Sequence, residues 1–188
     1  ELVITGTKPV TVAMAKDVKT SADTLRTKGE AQVTLVNVTI AAPEGKNALE
    51  ADGGLKLTLV GSNTLTAVDQ AAIYGHEGVI LSGTGSLTLQ GGTESNGIGT
   101  NRLTVTGGTV TVIGGDGAPG TKETAGGSGS DAVGANVITV TGGSLKLTGG
   151  KAGTDDGGGT GADGAATIGT AITDGEKPLY QTVIQLTD

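Results

Sequence analysis

Carboxylates are the side chains of this sequence best placed to do chemistry, and they gather in two glycine-rich segments. Asp116, Glu123 and Asp131 fall within 114–131; Asp155, Asp156 and Asp163 fall within 149–164. Two stretches, Gly126-Gly-Ser-Gly-Ser-Asp131 and Gly158-Gly-Thr-Gly-Ala-Asp163, match the Gly-Gly-x-Gly-x-Asp pattern of calcium-binding β-rolls. In such a roll, tandem nine-residue repeats offer carboxylate and carbonyl oxygens to one ion from both sides. The two copies here stand 32 residues apart, so the plain reading is a pair of solvated loops. Calcium at Asp131 and Asp163 is the one cofactor the sequence suggests.

His76 is the single histidine, beside Glu77 and two residues from Tyr74. A general base needs a partner and a neighbouring nucleophile, and no triad is in reach, so His76 reads as a turn residue. Tyr74 follows an apolar Ile73 and should therefore point outward. The pair makes a second, smaller contact candidate. Sugar-binding platforms stack rings on exposed aromatics, but the chain has only Tyr74 and Tyr180, with no Phe or Trp. Asn, Asp and Thr could still recognise a sugar through polar contacts. Polysaccharide-cleaving enzymes built on β-helices need acidic or basic groups lined up along the strands. Here the strands carry mainly Thr, with Lys56 and Lys146, and the acids lie in loops. Threonine rows at Thr104, Thr106, Thr139 and Thr141 raise ice binding, but Ile80 and Lys56 interrupt the array.

Composition narrows the classes further. A chain of 188 residues favours one domain. A formal charge of −7 argues against nucleic acid, which needs a basic footprint. Without cysteine there is neither a disulfide framework nor a thiolate metal site. No apolar run reaches the length of a membrane span. The segment starting at Glu1 has no signal-like character and reads as trimmed or mature.

The elements that must position these side chains repeat. Leu103-Thr-Val-Thr-Gly-Gly-Thr-Val-Thr-Val-Ile-Gly-Gly115 is echoed by Ile138-Thr-Val-Thr-Gly-Gly-Ser-Leu-Lys-Leu-Thr-Gly-Gly150. Setting the first strand of each unit at Val10, Val33, Leu55, Val79, Leu103 and Ile138 gives coils of 22–24 residues, lengthened before Ile138. A second strand follows a corner at Asn37, Asn63, Gly85, Gly108 and Gly143, residue types that enter the left-handed region cheaply. Asn37, in Asn-Val-Thr, reads as a corner rather than as a glycosylation acceptor. A third apolar position closes each unit at Leu25, Leu49, Ile73, Ile98, Val133 and Ile168. Three short strands per turn predict a single-stranded right-handed parallel β-helix, a β-solenoid of about six coils. Coils span about 10–171, and 172–188 reads as a C-terminal cap or the start of a following module. The two long loops leave one corner of adjacent coils and should lie side by side.

Laid out this way, Val33 to about Gly169 resembles a family of surface proteins of gut-dwelling anaerobic bacteria, described as carbohydrate-binding-domain-containing or adhesin-like. The residues that carry the likeness are Val33-Thr-Leu-Val-Asn-Val-Thr-Ile40, Leu55-Lys-Leu-Thr-Leu-Val-Gly-Ser-Asn-Thr-Leu-Thr66, Ala72-Ile-Tyr74, Gly83-Thr-Gly-Ser-Leu-Thr-Leu89 and Asn96-Gly-Ile-Gly99. Where that family continues with Gly-Gly-Ala-Gly-Ile-Gly-Gly-Gly repeats, this chain carries Asp-Ala-Val-Gly and Ala-Ala-Thr-Ile-Gly with acidic insertions. The resemblance implies export, surface display and a parallel β-helix, and brings no catalytic residues with it. The expected role is a non-catalytic surface module for adhesion or a structural stalk, presenting the two Gly/Asp-rich loops, 114–131 and 149–164, as its first contact surface. A carbohydrate-binding module for host or dietary glycans is the alternative, and a polysaccharide-degrading enzyme a third. The expected partner is a glycan or a host or bacterial surface protein, met by a monomer within a larger multidomain chain that itself neither inserts in a membrane nor binds nucleic acid.

Overall fold

The computed structural model describes residues 1–154 and two strands within 172–179. Among the described residues there is no helix. A first, partial coil carries β1 (Leu2–Thr5) and β2 (Val10–Ala13). Five three-strand coils follow. They are β3 (Leu25–Lys28), β4 (Ala31–Val36) and β5 (Thr39–Ala41); then β6 (Leu49–Ala51), β7 (Leu55–Val60) and β8 (Ser62–Thr66). Next come β9 (Ile73–Gly75), β10 (Val79–Gly83) and β11 (Ser86–Gln90), with β12 (Ile98–Thr100), β13 (Arg102–Val105) and β14 (Thr109–Ile113) above them. The last described coil holds β15 (Val133–Gly134), β16 (Val137–Val140) and β17 (Ser144–Thr148).

Equivalent strands stack in parallel into three sheets. Face A is β1-β3-β6-β9-β12-β15, face B is β2-β4-β7-β10-β13-β16 and face C is β5-β8-β11-β14-β17. The expected parallel β-solenoid is thus present, with about five turns rather than six. The shortfall lies in the first coil, which has no face C strand: residues after β2 reach β5 only through the Ser21–Ile40 bridge. Beyond the coils, β18 (Ile172–Asp174) and β19 (Lys177–Leu179) pair antiparallel, so this segment leaves the coil pattern. Ile168, the last expected ladder position, and the remainder of the proposed cap lie outside the described residues.

Alternation with period two sends every second side chain inward, and like residues stack along the axis. On face A, Leu25, Leu49, Ile73, Ile98 and Val133 form one ladder, as the sequence pattern predicts. On face C, Ile40, Leu65, Leu89, Val112 and Leu147 form another. Each fully buried aliphatic side chain contributes roughly 1.5–3 kcal/mol. A single coil has no second layer to bury it, so the ladders exist only through stacking.

Face B corrects the expected register. Val33 pairs with Leu57, not Leu55, because buried Ala31 takes the place opposite Leu55. A slip of two residues keeps every side chain on its own side, so polarity alternation cannot detect it.

The corners are corrected in part. Asn37, Gly108 and Gly143 have left-handed φ of 52°, 83° and 77°. In the two coils between them, Gly61 and Gly83 take that role instead of Asn63 and Gly85. Asn63 lies inside β8, opposite Leu87, and is only 1 % exposed. Its Oδ1 accepts from Val38 N at 2.9 Å, and its Nδ2 donates to the carbonyls of Val60 and Ser86, each at 3.2 Å. This single amide ties three successive coils where a leucine would otherwise sit.

Candidate functional site

Face A turns its polar side outward at the residue after each ladder position. Arg26, Glu50 and Tyr74 are direct register partners, and Gly99 is the next. Two residues further on, Asp52 and His76 continue the parallel pattern: Asp52 N donates to Thr27 O and His76 N to Ala51 O, each at 3.0 Å. The backbone therefore fixes five functional groups on one patch, at intervals set by the strand spacing.

The side chains close on one another. Arg26 Nη2 donates to Asp52 Oδ1 at 2.9 Å and lies 3.5 Å from Glu50 Oε1. His76 Nε2 stands 4.0 Å from the same Glu50 oxygen. The hydrogen bond that Arg26 donates to Asp52, with the nearby charge of Glu50, raises the Arg26 pKa above its already high usual value, so the guanidinium stays a cation. The rings of Tyr74 and His76 meet edge to face, centroids 4.9 Å apart at 82°. Glu50, Asp52 and His76 together offer three ligand atoms within 4.8 Å of one another, a set suited to a divalent metal. Arg26 already bridges both carboxylates, so a metal would have to displace it.

On the far side of Tyr74 the surface opens. Gly99 leaves space for the ring: a Cβ there would lie 3.0 Å from Tyr74 Cδ2. A shallow groove of about 300 Å³ runs from Tyr74 past Asn47, Gln70, Glu94, Ser95 and Asn96. Tyr74, 41 % exposed, forms its wall. An aromatic face next to amides and a carboxylate is the usual combination for holding a polyhydroxylated ring.

The acidic loops behave differently. Segment 114–131 lies against 149–154, as expected, with Gly117 N donating to Lys151 O and Gly153 N to Gly127 O, each at 2.8 Å. Asp116 is spent on this packing: its Oδ1 accepts from Lys151 N at 2.8 Å. The neighbouring coils repeat the device, for Asp69 accepts from Gly45 N and Glu94 from Ala118 N. Carboxylates at this corner fasten one loop to the next. Glu123 sits exposed in a Thr121–Thr124 turn, and Asp131 is half-buried at the loop end. Asp155, Asp156 and Asp163 lie outside the described residues, and with them the second half of the expected calcium pair.

Of the residues singled out from sequence, Tyr74 and His76 are brought together. Arg26, Glu50 and Asp52 were missed, although reading one and three places past Leu25, Leu49 and Ile73 would have aligned them. Comparison with known proteins finds no family model, no curated protein and no solved structure that matches the chain.

Proposed function

We propose that this chain is a rigid, non-catalytic adhesion module of a bacterial surface, and that face A around Tyr74 is its contact surface for a glycan. The observation that carries the reading is the exposed Tyr74 ring, held over bare Gly99 and flanked by amides on one side and the Arg26–Glu50–Asp52–His76 cluster on the other. The stacked coils supply rigidity, so the groups keep their spacing without a partner to order them, which lowers the cost of binding. Glu50 and Asp52 serve as positioning groups rather than as an acid–base pair, since one guanidinium holds both. Display at a surface and export rest on the family resemblance. The test is a glycan array with host and plant polysaccharides, read for the native chain and for Tyr74→Ala. Binding that falls at least tenfold in the variant, with an unchanged melting temperature, is expected. An array without hits, or equal binding by both proteins, refutes the assignment.

A further inference from the structure

Face B carries a second groove, independent of the Tyr74 patch. Its outward column reads Glu30, Gly54, Gly78 and Arg102, one residue before the register partners Ala31, Leu55, Val79 and Leu103. Gly54 lets the Glu30 carboxylate lie over the sheet and Gly78 leaves it bare, and the resulting groove of about 270 Å³ is walled by Glu30, Lys56, Glu77, Ile80 and Arg102. None of the four charged residues forms an ion pair among the described residues, although two are acidic and two basic. Glu30 and Arg102 mark the two ends of the column, with Lys56 and Glu77 along its sides, and the end charges are suited to a ligand that carries the complementary charges at its own ends.

The span limits what fits. Glu30 and Arg102 are separated by three strand spacings, about 14 Å at the backbone. The Glu30 side chain leans inward: a Cβ on Gly54 would lie 2.5 Å from its Oε1. That brings its carboxylate to the level of Gly54, about two spacings or 10 Å from the Arg102 backbone. An extended peptide reaches about 3.3–3.6 Å per residue, so three residues cover this distance. Ile80, beside Gly78 on the same outward side, gives an apolar wall at the middle of the path. The absence of any aromatic ring from the wall separates this groove from the sugar-type surface of face A.

We propose that the face B groove binds a short extended peptide, about three residues long, through its free ends, with the terminal ammonium on Glu30, the terminal carboxylate on Arg102 and an apolar middle side chain on Ile80. The experiment is a titration of the isotope-labelled chain with the tripeptide Ala-Val-Ala, followed by amide resonances. Gly54 and Gly78 should shift, with a dissociation constant of roughly 1 mM. Acetylating the amine or amidating the carboxylate should each weaken binding at least fivefold, as should Glu30→Gln and Arg102→Gln. Gly78→Ala, whose Cβ would meet only ordinary contacts at 3.4 and 3.6 Å, should also block the floor without disturbing the fold. Absence of shifts at about 10 mM tripeptide overturns the proposal. So does equal binding of the end-blocked peptide, or shifts produced by a neutral oligosaccharide and not by the tripeptide.

Discussion

Asn63→Leu sets two stabilising effects against each other with opposite signs. Position 63 points inward opposite Leu87, so leucine would extend the second inward column of face C, Leu87–Val110–Leu145, and contribute roughly 1.5–3 kcal/mol of burial. The amide, however, serves three backbone groups. Without it, the buried Val38 N–H loses its acceptor, which costs about 1–3 kcal/mol, and the carbonyls of Val60 and Ser86 each lose a bond worth about 0.5–1.5 kcal/mol. The losses exceed the gain, so the variant should be less stable by about 1–3 kcal/mol, a drop of several degrees in melting temperature for a chain of this size. Urea unfolding followed by circular dichroism measures it, with the midpoint falling and the slope unchanged. A variant as stable as the native chain, or more so, would refute the reasoning and show that the ladder alone governs this position.

Four further outcomes follow from the same structure. Thr34 and Thr58 are outward register partners, so Thr34→Cys with Thr58→Cys should oxidise to a disulfide; pairing Thr34→Cys with Lys56→Cys should not, and a reversed result would restore the shorter register. Leu57→Ala, at a side chain with no exposure, should cost about 2–5 kcal/mol in urea unfolding. Gly99→Val should push the Tyr74 ring from its seat and weaken the proposed glycan binding severalfold while leaving the circular dichroism spectrum unchanged. Zinc should not raise the melting temperature of the native chain, whereas Arg26→Ala should gain a chelator-reversible rise because Glu50, Asp52 and His76 are then free to ligate; no rise would remove the metal reading of that cluster.

The solenoid was legible because its signal is redundant: an aliphatic residue recurs at the same offset on each face, and one chance match cannot imitate the series. What escaped was finer. The register at Val33 was misjudged because Ala31 carries too little hydrophobic signal to mark a strand start, and period two tolerates the slip. Asn63 looked like a corner because Asn is favoured there; only the three-dimensional network shows an amide replacing a leucine. The Arg26–Glu50–Asp52–His76 cluster was hidden for a different reason. Its members are scattered over three coils and become neighbours only through register. Asp116 misled in the opposite direction, since an acidic residue in a glycine-rich loop suggests a ligand, whereas here it accepts a backbone N–H from the next coil.

The elongated step between the last two described coils has an engineering consequence. Ile98 pairs with Val133, Leu103 with Ile138 and Val110 with Leu145, so all three faces resume together after the same 35-residue advance. The extra chain is taken up wholly at the corner between faces C and A, and no ladder is displaced. Segment length at that corner is therefore decoupled from the geometry of the coils. Foreign peptides grafted there should be carried as passengers, with the distance between Tyr74 and the grafted loop set by counting coils.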